Sequence, residues 1–119
     1  RTRKDLPLAA LSGARVMLLS SIGDPGYFEE TVKNLGAVVV EHMAFGDHHE
    51  YRQCDIDRVL RRCDERSFEY VITTDKDAVK LARRSFSFGK YKLCTLVVEM
   101  QITSGKEILI DRLRSLHRS

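Results

Sequence analysis

The sequence predicts an α/β three-layer sandwich, a mostly parallel, Rossmann-like sheet of about four to five strands with helices on both faces. Two observations carry this expectation. Four short apolar runs, Arg15–Ser20, Val38–Met43, Tyr70–Thr73 and Leu93–Val98, are continuous rather than alternating, as strands covered on both faces are. The segments between them place apolar residues at helical spacing, and strands that alternate with helices build parallel sheets.

Residues 1–13 are polar, broken by Pro7 and closed by Ser12-Gly13, which suits a linker on the hinge side of a domain spanning 14–119. The first strand, Arg15–Ser20, runs into Ser21-Ile22-Gly23-Asp24-Pro25. Asp24 is a favourable N-cap, and Pro25 fits the first helical position, where a missing N–H is harmless. Phe28, Val32 and Leu35 then follow at i, i+4, i+7, and Gly36 closes the helix. After the second strand, Asp55 is expected to cap a helix whose stripe is Ile56, Val59, Leu60 and Cys63. Its other face, Arg58, Arg61, Arg62 and Asp64, reads as a solvated surface. Beyond the third strand, Thr74 and Asp77 form a capping-box-like start to a helix with Val79 and Leu81-Ala82 as its apolar side. A last helix, carrying Ile108, Leu109, Leu113 and Leu116, is expected after Ser104-Gly105.

The 119 residues fit one domain with a real core, and 43% apolar with 31% charged residues is a globular balance. A net charge of +3, with Arg and Lys dispersed and no basic–aromatic run, gives no support to nucleic-acid binding. Cys54, Cys63 and Cys94 form no C-x-x-C and leave an odd count, which favours reduced thiols over a disulfide framework or zinc site. No signal peptide and no apolar run of membrane-spanning length is present. The chain opens Arg1-Thr2-Arg3-Lys4, and its first methionine is Met17 inside a strand. The expectation is a domain of a longer protein.

The chemistry concentrates in Phe45-Gly46-Asp47-His48-His49-Glu50-Tyr51, just past the second strand. Loops at the carboxyl ends of parallel strands are where ligands bind in open α/β sheets, although a polar surface loop would read the same way. Asp-His-His is also the triplet of manganese phosphoesterases. A two-metal site needs several further carboxylates, and the first strand here ends with the single acid Asp24, already assigned to a cap. Ser21 and Gly23 lie in a strand–turn–helix corner whose free N–H groups could face a phosphate. Neither G-x-G-x-x-G nor G-x-x-x-x-G-K-[ST] is present, and Asp24 and Glu29 would repel an anion. In Thr73-Thr74-Asp75-Lys76-Asp77, Lys76 could reach a ligand, while capping accounts for Thr74 and Asp77.

In order, Ser21-Ile22-Gly23-Asp24-Pro25 with Phe28, Leu35-Gly36, Phe45-Gly46-Asp47-His48-His49 and Thr73-Thr74-Asp75-Lys76-Asp77-Ala78-Val79-Lys80 resemble the C-terminal part of the tetraacyldisaccharide 4′-kinase family of lipid A synthesis. The resemblance runs from about Gly13 onward. Ser21 and Asp24 stand where that family usually has Gly and Asn, and Asp75 where it commonly has Glu. The resemblance implies a half-enzyme, inactive alone. An N-terminal kinase domain would bind ATP and Mg²⁺ and carry the membrane anchor at the cytoplasmic face of the bacterial inner membrane. The substrate would be the lipid A disaccharide precursor. This domain would close over the site and supply His48 as the catalytic imidazole, oriented by Asp47. Ser21, Gly23, Thr74 and Lys76 would lie near substrate or nucleotide, with no metal held by this chain. The alternatives are a stand-alone phosphoesterase on Asp47-His48-His49, or an α/β interaction domain without chemistry.

Overall fold

Among the described residues, six strands and three α-helices follow one another. They are β1 (Thr2–Leu6), β2 (Arg15–Ser20), α1 (Pro25–Asn34), β3 (Val38–Ala44), α2 (Gln53–Arg66), β4 (Tyr70–Thr74), α3 (Asp75–Arg83), β5 (Lys92–Thr103) and β6 (Lys106–His117). A 3-10 turn at Leu8–Leu11 links β1 to β2. The structure, a computed structural model, describes residues 2–6, 8–84, 86–89, 91–103 and 106–117, with side chains over 9–84, 86–89 and 91–96.

The strands form one sheet in the order β1-β6-β5-β4-β2-β3. β3, β2, β4 and β5 are parallel, whereas β6 runs antiparallel to β5 and β1 antiparallel to β6. The expected α/β sandwich with a parallel sheet is therefore present. β2 explains why its sequence is continuously apolar. Val16 and Leu18 pack with Leu11, Phe28 and Val32 on the α1 face, while Met17 and Leu19 pack with Ile56, Val59 and Cys63 on the α2–α3 face. A strand covered on both sides has no polar side to alternate with.

β3 is an edge strand with an irregularity that matters for the site. Val16 pairs with Val39 but Met17 with Glu41, so Val40 is an extra residue, a bulge. A bulge resets which face later residues take. Beyond it, Glu41 reaches Arg62 of α2 at 2.8 Å, and His42 lies against Phe28 and Glu29 of α1.

Several expectations are corrected. The sheet has six strands, because residues 106–117, expected as a helix carrying Ile108, Leu109, Leu113 and Leu116, form β6. The spacing of Leu109, Leu113 and Leu116 suits a helix. β5, however, meets β4 only from Lys92 to Leu96 and runs on to Thr103. Its free backbone groups need a partner, and the chain returns along it from Thr103↔Lys106 to Cys94↔Ser115. Thr2–Leu6, expected as part of a linker, is a strand on the outer side of β6, with Thr2 opposite His117. Asp55 is the third helical residue of α2 rather than its N-cap, and its Oδ2 accepts from Arg52 N at 2.9 Å. In α3 the buried side is Asp77, Ala78 and Leu81, and Val79 is exposed. The helix is turned so that Asp77 faces inward, for a reason found at the site.

Candidate functional site

β2 sits between β3 and β4. The chain leaves β2 through α1 to β3 and later returns to β4 on the opposite side, so the winding reverses between β2 and β4. Such a switch point leaves a crevice at the carboxyl ends of the strands, where ligands bind in this class of fold. Three segments border it here: the loop after Ser20, the loop after Ala44 and the first turns of α3.

Asp77 is the centre of a buried polar cluster beneath this edge. It is fully buried, and its carboxylate accepts from four donors: Ser21 N at 3.0 Å, Ser21 Oγ, Tyr51 Oη at 3.2 Å and Thr74 Oγ1 at 2.7 Å. A buried carboxylate demands such satisfaction, since unpaired it would cost several kcal/mol, on the order of what water gave it. Thr74 is indeed the N-cap of α3, its Oγ1 accepting from Asp77 N at 3.0 Å. The acid at the third helical position turns away from the backbone of its own helix toward β2. This is why Val79 is left outside. One turn on, Lys80 Nζ donates to Ser21 Oγ at 2.9 Å and to the His49 carbonyl at 3.2 Å.

The loop after β3 is fastened at several points. Phe45 N donates to Ser20 O at 2.7 Å, and His49 N to Gly46 O at 3.1 Å, which closes a tight turn over Asp47 and His48. The His49 ring stacks on Phe45 with centroids 4.4 Å apart, and its Nε2 lies 2.8 Å from Asp55 Oδ2. Burial works to raise the Asp55 pKa, but the bonds from His49 and Arg52 N outweigh it and hold the carboxyl below its ordinary range. Tyr51 is pushed far above the ordinary phenol range, chiefly by burial and also by the Asp77 charge. It therefore remains a protonated donor to Asp77.

His48 is the residue this loop leaves free. Its side chain is 82% exposed, and its Nε2 stands 3.7 Å from Asp47 Oδ2. Its φ is +66°, a left-handed conformation that Gly or Asn adopts more readily. Asp47 also leans on the neighbouring loop, because a Cβ on Gly23 would lie 3.6 Å from its Oδ2.

Behind the crevice, Ser20 Oγ lies 2.7 Å from His42 Nε2, and His42 Nδ1 lies 3.0 Å from Glu29 Oε1. The hydrogen bonds from Lys33 and His42 hold Glu29 below its ordinary pKa. Ser20 is fully buried, and this acid–imidazole–hydroxyl chain ties α1 to β3 and the end of β2.

The fold thus gathers most residues singled out in the sequence. Gly23, Asp47 and His48 meet at the rim, while Ser21 and Thr74 meet through Asp77 beneath it. Lys76 is exposed on the first turn of α3 and bonds to none of the described residues. Sequence reasoning missed the inward roles of Asp77, Lys80, Tyr51 and Asp55. Only Asp77 left a usable signal, an acid at a helix start whose burial no capping rule requires. Among the described residues no group of three or more His, Cys, Asp or Glu is placed to hold a metal ion, and His49, second of the Asp-His-His triplet, is turned to Asp55. Cys63 and Cys94 are buried thiols, each pushed up to about 11 by burial, and Cys54 is exposed.

The family model described as tetraacyldisaccharide-1-P 4′-kinase matches residues 1–117. A tetraacyldisaccharide 4′-kinase of Halothermothrix orenii is 40% identical over 102 residues, covering 83% of this chain and 27% of its own length. One from Anaeromyxobacter sp. (strain Fw109-5) is 36% identical over 110 residues, 92% of this chain and 29% of its own. Another, from Syntrophus aciditrophicus, is 35% identical over 105 residues, 87% and 27%. The chain therefore spans less than a third of the length of these relatives. No solved structure matches it. With the family model covering nearly every residue, the chain belongs to the tetraacyldisaccharide-1-P 4′-kinase family.

Proposed function

We propose that residues 14–119 form the C-terminal α/β domain of an ATP-dependent kinase that phosphorylates the 4′-hydroxyl of the tetraacyldisaccharide 1-phosphate precursor of lipid A. Residues 1–13 lie on its hinge side, where Thr2–Leu6 pairs with β6 at the edge of the domain's sheet. The domain closes over a site built mainly by an N-terminal kinase domain and brings in His48. The observation that carries this reading is the backbone of His48: an exposed imidazole held at positive φ, on a turn anchored all round, at the carboxyl edge of the sheet. Strained residues persist where the surroundings over-determine them, and they cluster at functional sites.

The residues of this chain do not make an ATP–Mg²⁺ site by themselves. The phosphate-loop motif is missing from the sequence, and Asp77, the buried carboxylate beneath the crevice, is already occupied by protein donors. We therefore assign ATP and Mg²⁺ to the N-terminal domain, along with the membrane contact at the cytoplasmic face of the inner membrane. Among the described residues no helix is long and apolar enough to cross a membrane. Ser21, Gly23, Thr74 and Lys76 border the closed site near substrate or nucleotide.

The chemistry suits an imidazole delivered by closure. A sugar hydroxyl is a poor nucleophile, and phosphoryl transfer is catalysed mainly by positioning and charge stabilisation. His48, with Asp47 fixing its ring, assists a carboxylate of the other domain in drawing the proton from the hydroxyl. In the full-length polypeptide, His48→Ala is expected to lower kcat by roughly 10²–10⁴-fold with a much smaller change in KM. Wild-type turnover by that variant, in a steady-state assay with the purified disaccharide, would refute the assignment.

A further inference from the structure

We propose that Lys80 is a positioning residue for His48. It would set the height and tilt of the imidazole through the backbone carbonyl of the following residue, His49, without touching substrate. The inference rests on the kinase reading above and adds a residue to it.

Lys80 is half-buried on α3, and its ammonium makes two bonds, to Ser21 Oγ at 2.9 Å and to His49 O at 3.2 Å. It forms no ion pair with any described carboxylate. Ammonium groups are strongly hydrated point charges with three donors; through Ser21 Oγ this one reaches the buried Asp77 charge, and its second bond carries the anchor on to the loop. What its two acceptors have in common is location. Ser21 Oγ belongs to the buried polar cluster on Asp77. The His49 carbonyl lies one residue beyond His48 in the chain.

The other fasteners of the loop act at different places. Phe45 N holds its start, Tyr51 Oη its end, and Asp55 holds the ring of His49 rather than its backbone. The turn closed by His49 N and Gly46 O lies wholly within the loop. Among the described residues, the Lys80–His49 bond alone runs from another element to the backbone of the loop between Gly46 and Glu50. It fixes the His49–Glu50 peptide, one peptide beyond the one that follows His48, so the turn carrying the positive φ is held between its own His49 N–Gly46 O bond and this anchor. Displacement of a catalytic group by about 1 Å can cost on the order of 10²-fold in rate.

The test is a double-mutant cycle in the full-length polypeptide, read as kcat and KM for wild type, Lys80→Met, His48→Ala and the double variant. Lys80→Met is expected to lower kcat roughly 10–100-fold with KM within about threefold of wild type. The double variant should be no slower than His48→Ala, because a residue acting through His48 has nothing left to position. If Lys80→Met fails to fold, Lys80→Ala, which also removes the donor, takes its place in the same cycle. Equal slowing by the Lys80 change with and without His48 would overturn the inference while leaving the role of His48 intact. So would a Lys80 variant with wild-type kcat. A His48→Ala enzyme of wild-type activity would remove the kinase reading and this inference with it.

Discussion

At the scale of the residue, His48 is held where an L side chain pays a conformational penalty of ~1–2 kcal/mol. A glycine there would escape it, less the ~0.5–1 kcal/mol of chain entropy that glycine loses on folding. His48→Gly is therefore expected to raise the stability of the domain by up to ~1 kcal/mol, read by chemical denaturation, while abolishing the function assigned to the imidazole. A His48→Gly domain less stable than wild type would mean that the side chain holds the fold, against its 82% exposure. His49 is the opposite case. With its ring stacked on Phe45 and bonded to Asp55, it organises the loop that presents His48. Nothing local in the sequence separates these adjacent histidines. The difference is made by Asp55, six residues on, and by the turn that sends one ring out and the other in.

At the scale of the element, the parts legible in the sequence were those set by neighbours in the chain. Asp24 before Pro25 and Thr74 before α3 both cap as their local chemistry dictates, and the apolar spacing of α2 became its buried stripe of Ile56, Val59 and Cys63. What the sequence concealed depends on distant partners. Asp77 turns toward Ser21, 56 residues away in sequence, and that contact rotates α3 and exposes Val79. The segment 106–117 follows the same logic, its helical spacing overridden by the unpaired edge of β5. The double duty of Thr74 makes a prediction at this scale. Thr74→Ala removes the cap of α3 and one donor to Asp77, and should lower stability by ~1–2 kcal/mol. Ser87→Ala, which removes an exposed bond to Gly89 N, should stay within ~0.5 kcal/mol. Equal losses in the same denaturation series would mean that neither the cap nor the Asp77 bond stabilises the fold.

At the scale of the molecule, the crevice is held by acids that bridge elements, and acid should therefore loosen it. Asp55 ties α2 to the His48 loop through His49, and Glu29 ties α1 to β3 through His42. For Glu29 the bonds from Lys33 and His42 lower the folded pKa below its ordinary value of 4.5. For Asp55, burial opposes the shift, yet the bonds from His49 and Arg52 N carry it below 3.8. In both cases the unfolded chain binds protons more readily than the folded one, so the unfolded state gains protons first as pH falls. The stabilisation is fully present above these ordinary values and is lost as pH drops through the lowered folded ones. Urea denaturation between pH 7 and pH 3 should show stability falling once the pH passes below about 4.5. The double variant Glu29→Gln, Asp55→Asn should start lower at pH 7 and decline less steeply over the same interval. Parallel curves for the two proteins would mean that the acid sensitivity comes from other carboxyls.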